Sequence, residues 1–111
     1  MNRKSFQSTP AKLASMPRYV ALLDWTEQGM RNVKDTIKRA ENAKAMARKL
    51  GGKIDIWYTL GEHDIVSLVE MPTDETYNKF ALWLGSQGNI RTTSLKAWTQ
   101  DAMSKLIDEL P

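Results

Sequence analysis

The stretch RYVALLDW, residues 18–25, decides how the rest of the chain is read. Successive side chains of an extended strand point to opposite faces. Tyr19, Ala21, Leu23 and Trp25 therefore share one face, and Val20 and Leu22 share the other. A strand that is apolar on both faces is one buried on both. The sequence around it has to supply two covers.

The segments that follow supply one. Thr26 is placed to cap a helix and Glu27 to favour its first turn. Met30, Val33, Ile37, Ala40, Ala47 and Leu50 recur at three- and four-residue spacing, apart from one seven-residue step, and predict one long helix. Gly51 and Gly52 end it. KIDIWYTL (53–60) is a second strand, GEHD (61–64) a turn, and DIVSLVEM (64–71) a third strand. Pro72 stops that strand, and Thr73 or Asp74 caps a helix whose apolar face is Tyr77, Phe80, Ala81 and Leu84. GSQGN (85–89) leads into a fourth strand, NIRTTSLKAW (89–98), and Thr99 opens a short final helix.

This order, β-α-β-β-α-β-α, predicts an α+β fold of the ferredoxin-like βαββαβ type with an antiparallel sheet, plus a short C-terminal helix. The crossovers put the first and third strands in the centre and the second and fourth at the edges. Both helices lie on one side of such a sheet. The third strand repeats the two-faced pattern of the first, with Ile65, Val69 and Met71 opposite Val66 and Leu68. A second copy packed sheet against sheet, as in a dimeric α/β barrel, is the expected cover for the other face.

Composition narrows the function classes. The chain of 111 residues has room for one domain, expected over residues 17–111 after an N-terminal extension, 1–16, expected to be disordered. The net charge of +3 comes from Arg3, Lys4 and Lys12; the remainder holds thirteen basic and thirteen acidic residues. A neutral body lacks the concentrated positive field of a non-specific nucleic-acid binder. An RNA-recognition sheet of the same element order stacks bases on aromatics of its third strand, and DIVSLVEM has none. No apolar run approaches membrane-span or signal-peptide length, and there is no cysteine, which together suggest a cytoplasmic protein.

The residues that carry chemistry are few. His63, the one histidine, lies between Glu62 and Asp64. It can act as acid or base near neutral pH, yet neighbours in an extended segment diverge from it, so a hairpin corner with Gly61 at positive φ and Asp64 bonded to turn amides is the favoured reading. One histidine and no cysteine do not make a tetrahedral metal site, so no metal and no cofactor is expected. GSQG (85–88) follows a helix and lacks the Gly-Lys-Ser/Thr ending of a phosphate loop. Residues 30–50 hold seven basic side chains against Asp35 and Glu41, a solvated face or a dock for an anion. Trp25, Trp57, Trp83 and Trp98 are core and interface residues, or the walls of a pocket for a planar ligand.

TEQGMRNVKDTIKRAE (26–41), LGGK (50–53), YTLGEHDIV (58–66) and GSQGNIRTTSLKAWT (85–99) resemble the GYD-domain family of small bacterial proteins. Gly61-Glu62-His63-Asp64 stands where that family's Gly, Tyr and Asp motif belongs, with histidine in place of the usual tyrosine. The resemblance implies a ferredoxin-like fold of the dimeric α/β-barrel group and brings no activity. It also places the usual start of such domains near MPRY (16–19), leaving residues 1–15 as an extension or a mis-assigned start. Arg39 and Arg91 fall within family-like motifs, and a buried arginine needs a carboxylate, backbone carbonyls or a ligand anion. The expected function is a homodimer that binds a small organic ligand between sheet and helices, with His63, Asp64, Arg39, Arg91, Trp57 and Trp83 as candidate ligand-binding residues. The alternative is a cofactor-independent monooxygenase- or isomerase-like enzyme, on fold analogy alone.

Overall fold

The computed structural model describes residues 16–111. The N-terminal extension expected from the sequence thus lies, through residue 15, outside the described residues. The elements are β1 (Arg18–Trp25), α1 (Glu27–Arg31), a 3-10 turn (Val33–Asp35), α2 (Thr36–Lys49), β2 (Lys53–Tyr58), β3 (Ile65–Glu70), α3 (Asp74–Ser86), β4 (Ile90–Ala97) and α4 (Gln100–Asp108). One antiparallel sheet runs in the order β2-β3-β1-β4, with β1 and β3 central as expected. No helix of the described residues is long and apolar enough to cross a membrane.

The helix-covered face carries the core. Tyr19, Ile54 and Val69 of the sheet pack with Ala43 and Ala47 of α2, Met71, and Tyr77 and Phe80 of α3. A smaller cluster of Ala21, Leu23 and Ile65 continues toward Trp25, Ile56 and Ile90. Small residues on α2 let its backbone approach the sheet closely. The register places partners on one face, so the opposite face follows in rows. Asp55, Leu68, Val20 and Leu95 form one row, and Trp57, Val66, Leu22 and Thr93 the next. That face is left open at its edges, where Trp57 is 54% and Leu95 49% exposed, and its central residues are only half-buried.

The expected single first helix is instead broken. Asn32 leaves helical geometry at φ −107°, ψ 31°, and its side-chain amide donates to the Gln28 carbonyl. Asparagine competes for backbone bonds in this way and is a poor helix former. The freed Asn32 carbonyl accepts from the Asp35 amide at 3.0 Å and from the Arg39 guanidinium at 2.9 Å. The break turns Met30, Val33 and Ile37 away from the core, and Ile37 is 64% exposed. Gly29 and Thr36 are buried in their stead.

What α1 gains is a close union with the loop before β4. The Thr26 amide donates to the Asn89 carbonyl at 3.0 Å, and the Thr26 hydroxyl to the Gly88 carbonyl at 2.6 Å. The Gln28 amide reaches the Gln87 carbonyl and the Asn89 side chain. A Cβ on Gly29 would sit 2.0 Å from the Asn89 carbonyl oxygen, so only glycine permits this approach. At the other end of the sheet, the Tyr19 hydroxyl donates to Asp74 and its ring stacks on Tyr77 with centroids 3.9 Å apart. Lys96 binds the same carboxylate at 2.9 Å. Beyond β4, every residue of α4 except Ala102 is exposed, including the stripe Met103, Leu106, Ile107 and, just past the helix, Leu110.

Two outcomes are expected. Gly29→Ala loosens α1 from the loop and lowers stability by about 1–3 kcal/mol, the usual range for forced overpacking, read from urea unfolding midpoints. Burial, and next the bond to Asp74, raise the Tyr19 phenol well above the ordinary tyrosine range, and burial raises Tyr77 as well. The folded chain then keeps protons that the unfolded chain releases near pH 10. Stability is fully present below that pH and falls as pH rises above it. Unfolding midpoints between about pH 8 and pH 11 should fall more steeply for the wild type than for Tyr19→Phe.

Candidate functional site

An apolar cleft opens where the helix-covered face of the sheet meets α2 and the loop before β4. Its walls are Leu23, Trp25, Ile54, Ile56, Tyr58, Ile65 and Ile90 of the sheet, Ala40 and Ala43 of α2, and Leu84 of α3. Thr36, Arg39, Ser67, Gln87 and Asn89 are its polar members. It encloses about 70 Å³ within about 560 Å³ of atom-free space that runs out to solvent. The near-parallel rings of Trp25 and Tyr58, with centroids 6.5 Å apart and planes 15° from parallel, form one wall. Burial raises the Tyr58 phenol above its ordinary value, against the pull of Lys44 and Arg39, so its hydroxyl is a neutral hydrogen-bond donor at physiological pH.

Arg39 stands at the cleft's edge. Its guanidinium donates to the Asn32 carbonyl and, at 3.3 Å, to the Thr36 hydroxyl. Two of its five N–H donors serve these partners, and no carboxylate among the described residues lies within ion-pair distance of it. A smaller void of about 10 Å³ adjoins the cleft through Leu23, Ile54, Ser67 and Leu84. There the buried Thr92 hydroxyl has no hydrogen-bond partner among the described residues.

The six residues singled out from the sequence do not converge. Arg39 lines the cleft; His63, Asp64, Arg91, Trp57 and Trp83 do not. Trp57 and Arg91 lie on the open face of the sheet, Arg91 in register with Asp24. Trp83 packs beside Phe80 at the rim of the core. The His63 imidazole meets neither flanking carboxylate but Asp24, with Nδ1 3.2 Å from the carboxylate. Asp64 acts on the turn: its carboxylate accepts from the Trp25 amide at 3.0 Å, its amide donates to the Leu23 carbonyl, and its carbonyl accepts from the Thr59 amide. Gly61 takes φ +137°, the conformation expected of it. Among the described residues no group of three or more His, Cys, Asp or Glu side chains gathers as metal ligands would. Of the aromatic pair at the cleft, Trp25 is among the tryptophans read from the sequence as candidate pocket walls, but Tyr58 was legible only as a strand residue, because nothing local in the sequence marks two strands' ends as neighbours.

Four antiparallel strands with helices on one side and an apolar cleft at one end define a ferredoxin-like α+β domain. A family model described as GYD domain matches residues 19–107. The chain belongs to the GYD domain family, as its motifs indicate, and that membership carries no assigned activity. Neither the curated proteins nor the solved structures give a match to the chain.

The division of labour at the turn makes a comparison measurable. Asp64→Ala strands the Trp25 amide and should cost about 1–2 kcal/mol. His63→Ala removes one partly exposed pair and should cost less than about 1 kcal/mol. Thermal or urea unfolding of both variants checks the order; a larger loss for His63→Ala would refute it.

Proposed function

We propose that the protein is a homodimeric module that binds a small organic ligand in the cleft beside α2. The observation that carries this is the cleft itself: ten apolar walls, a stacked aromatic pair and a few polar groups at the mouth, the composition of a ligand pocket. Its size limits the ligand. A cavity of roughly 150 Å³ holds benzene, so an enclosed 70 Å³ suits part of a single ring or a short branched chain, with the remainder in the mouth.

The open face of the sheet supports the dimer. Val20, Leu22, Val66, Leu68, Trp57 and Leu95 form an apolar field there. Arg18, Lys53 and Glu70 bound it at one end and Asp24, Arg91 and His63 at the other. An apolar centre with a charged rim is the anatomy of a protein interface. The aliphatic character of β1 and β3 on this face offers no base-stacking platform, which supports a protein partner over RNA. Turnover by an acid–base residue would call on His63, whose imidazole pairs with Asp24 away from the cleft; this favours binding over catalysis.

Sedimentation velocity at micromolar protein should give a dimer, and Leu22→Lys should give a folded monomer. For the cleft, the neutral probe 3-phenylpropanamide should shift the Trp25 indole N–H resonance of the ¹⁵N-labelled protein. Ala40→Leu, which fills the space, should abolish that shift while leaving the amide spectrum dispersed. A shift unaffected by Ala40→Leu would place the probe elsewhere and refute the pocket.

A further inference from the structure

Arg39 separates two depressions of different character. On one side is the apolar cleft. On the other is an open polar recess of about 380 Å³, lined by Gln28, Lys38, Arg39, Asn42 and Asn89 together with Asp35. Arg39 and Asn89 belong to both. A molecule seated in the cleft with one end in its mouth meets the guanidinium before it meets bulk water.

We infer that the ligand is an amphipathic organic acid, with a ring or branched hydrocarbon in the cleft and a carboxylate or comparable monoanion against Arg39 and Lys38 in the recess. This rests on the binding reading above and adds the chemical class. The side-chain geometry supports it. The Arg39 guanidinium is held by the Asn32 carbonyl and the Thr36 hydroxyl, both neutral acceptors, so its orientation is fixed while its charge is unmatched by a carboxylate among the described residues. A guanidinium positioned in this way presents its remaining N–H groups as a fork that matches a carboxylate. The side-chain amides of Asn42 and Asn89 add neutral donors around it, while the Gln28 amide is engaged with Gln87 and Asn89. Asp35, the recess's one acid, repels a second negative charge and selects a monoanion over a dianion. The break at Asn32 then has a use: it supplies the carbonyl that orients the arginine.

The test compares 3-phenylpropanoate with its amide near pH 7, where the acid is ionised, by titration into the full-length labelled protein and observation of the Trp25 indole N–H. The acid should bind at least about tenfold more tightly, since a charge-assisted bond contributes about 1.5–3 kcal/mol. Arg39→Met should abolish the acid's advantage and bring the two affinities to the same value, with a dispersed amide spectrum showing the fold intact. Arg39→Met also loses the Asn32 and Thr36 bonds, so Lys38→Met, at an exposed position, gives an independent reading: the acid should weaken about two- to fivefold, consistent with loss of a solvent-screened charge, and the amide not at all. Equal binding of acid and amide to the wild type overturns the anionic class and leaves the pocket standing. Binding of neither overturns the pocket and this inference with it.

Discussion

A four-stranded sheet has two faces, and the helices packed on this one cover a single face. That constraint governs the molecule. β1 and β3 are apolar on both sides because they are central. The helix-covered side closes over Tyr19, Val69 and Phe80, and the other side presents Val20, Leu22, Val66 and Leu68, which stay only half-buried. The hydrophobic effect acts on area and ignores chain identity, so the second face is as strong a demand on structure as the first.

Where the covering is thinnest, the cleft forms. α2 uses alanines to lie close to the sheet over Ile54 and Val69, and the chain between α1 and α2 bends at Asn32 without following the sheet to its end. The space left at the Trp25–Tyr58 end is held open by attachments outside it. Thr26 and Gln28 fasten α1 to the loop at Gln87–Asn89, and Asp64 fastens the β2–β3 turn to the Trp25 backbone. The cleft's walls are therefore set by hydrogen bonds at its margins more than by packing within it.

The strands, their order and the two-faced sheet could be read from RYVALLDW and DIVSLVEM, because alternation in a strand is a local property with a period of two. The first helix could not be read correctly in the same way. Met30, Val33 and Ile37 satisfy a helical period, and the decision against it is made by Asn32 and Arg39 across a turn of backbone, a contact that periodicity does not encode. Ala47 could be read on the buried face, whereas the weak apolarity of Ala43 hid its place beside it. The turn cluster was half legible: the roles of Gly61 and Asp64 follow from residue type, whereas the partner of His63 is Asp24, thirty-nine residues away in sequence. Arg39 stood out by its place in a family-like motif, but the aromatic pair it neighbours is assembled from β1 and β2, strands that never touch in the sheet.

The β2–β3 turn separates architecture from presentation. Gly61 supplies its backbone conformation, Thr59 and Asp64 supply its bonds, and the Thr59 hydroxyl holds residue 63 by its carbonyl oxygen alone, at 2.5 Å. The side chain at 63 thus takes no part in the bonds that hold the corner's backbone. A lineage can exchange it, histidine for tyrosine or for something else, without rebuilding the hairpin, and each exchange rewrites what is displayed beside Asp24 at the end of the sheet. Positions of that kind are where members of one fold family can diverge in behaviour while their backbones stay superimposable.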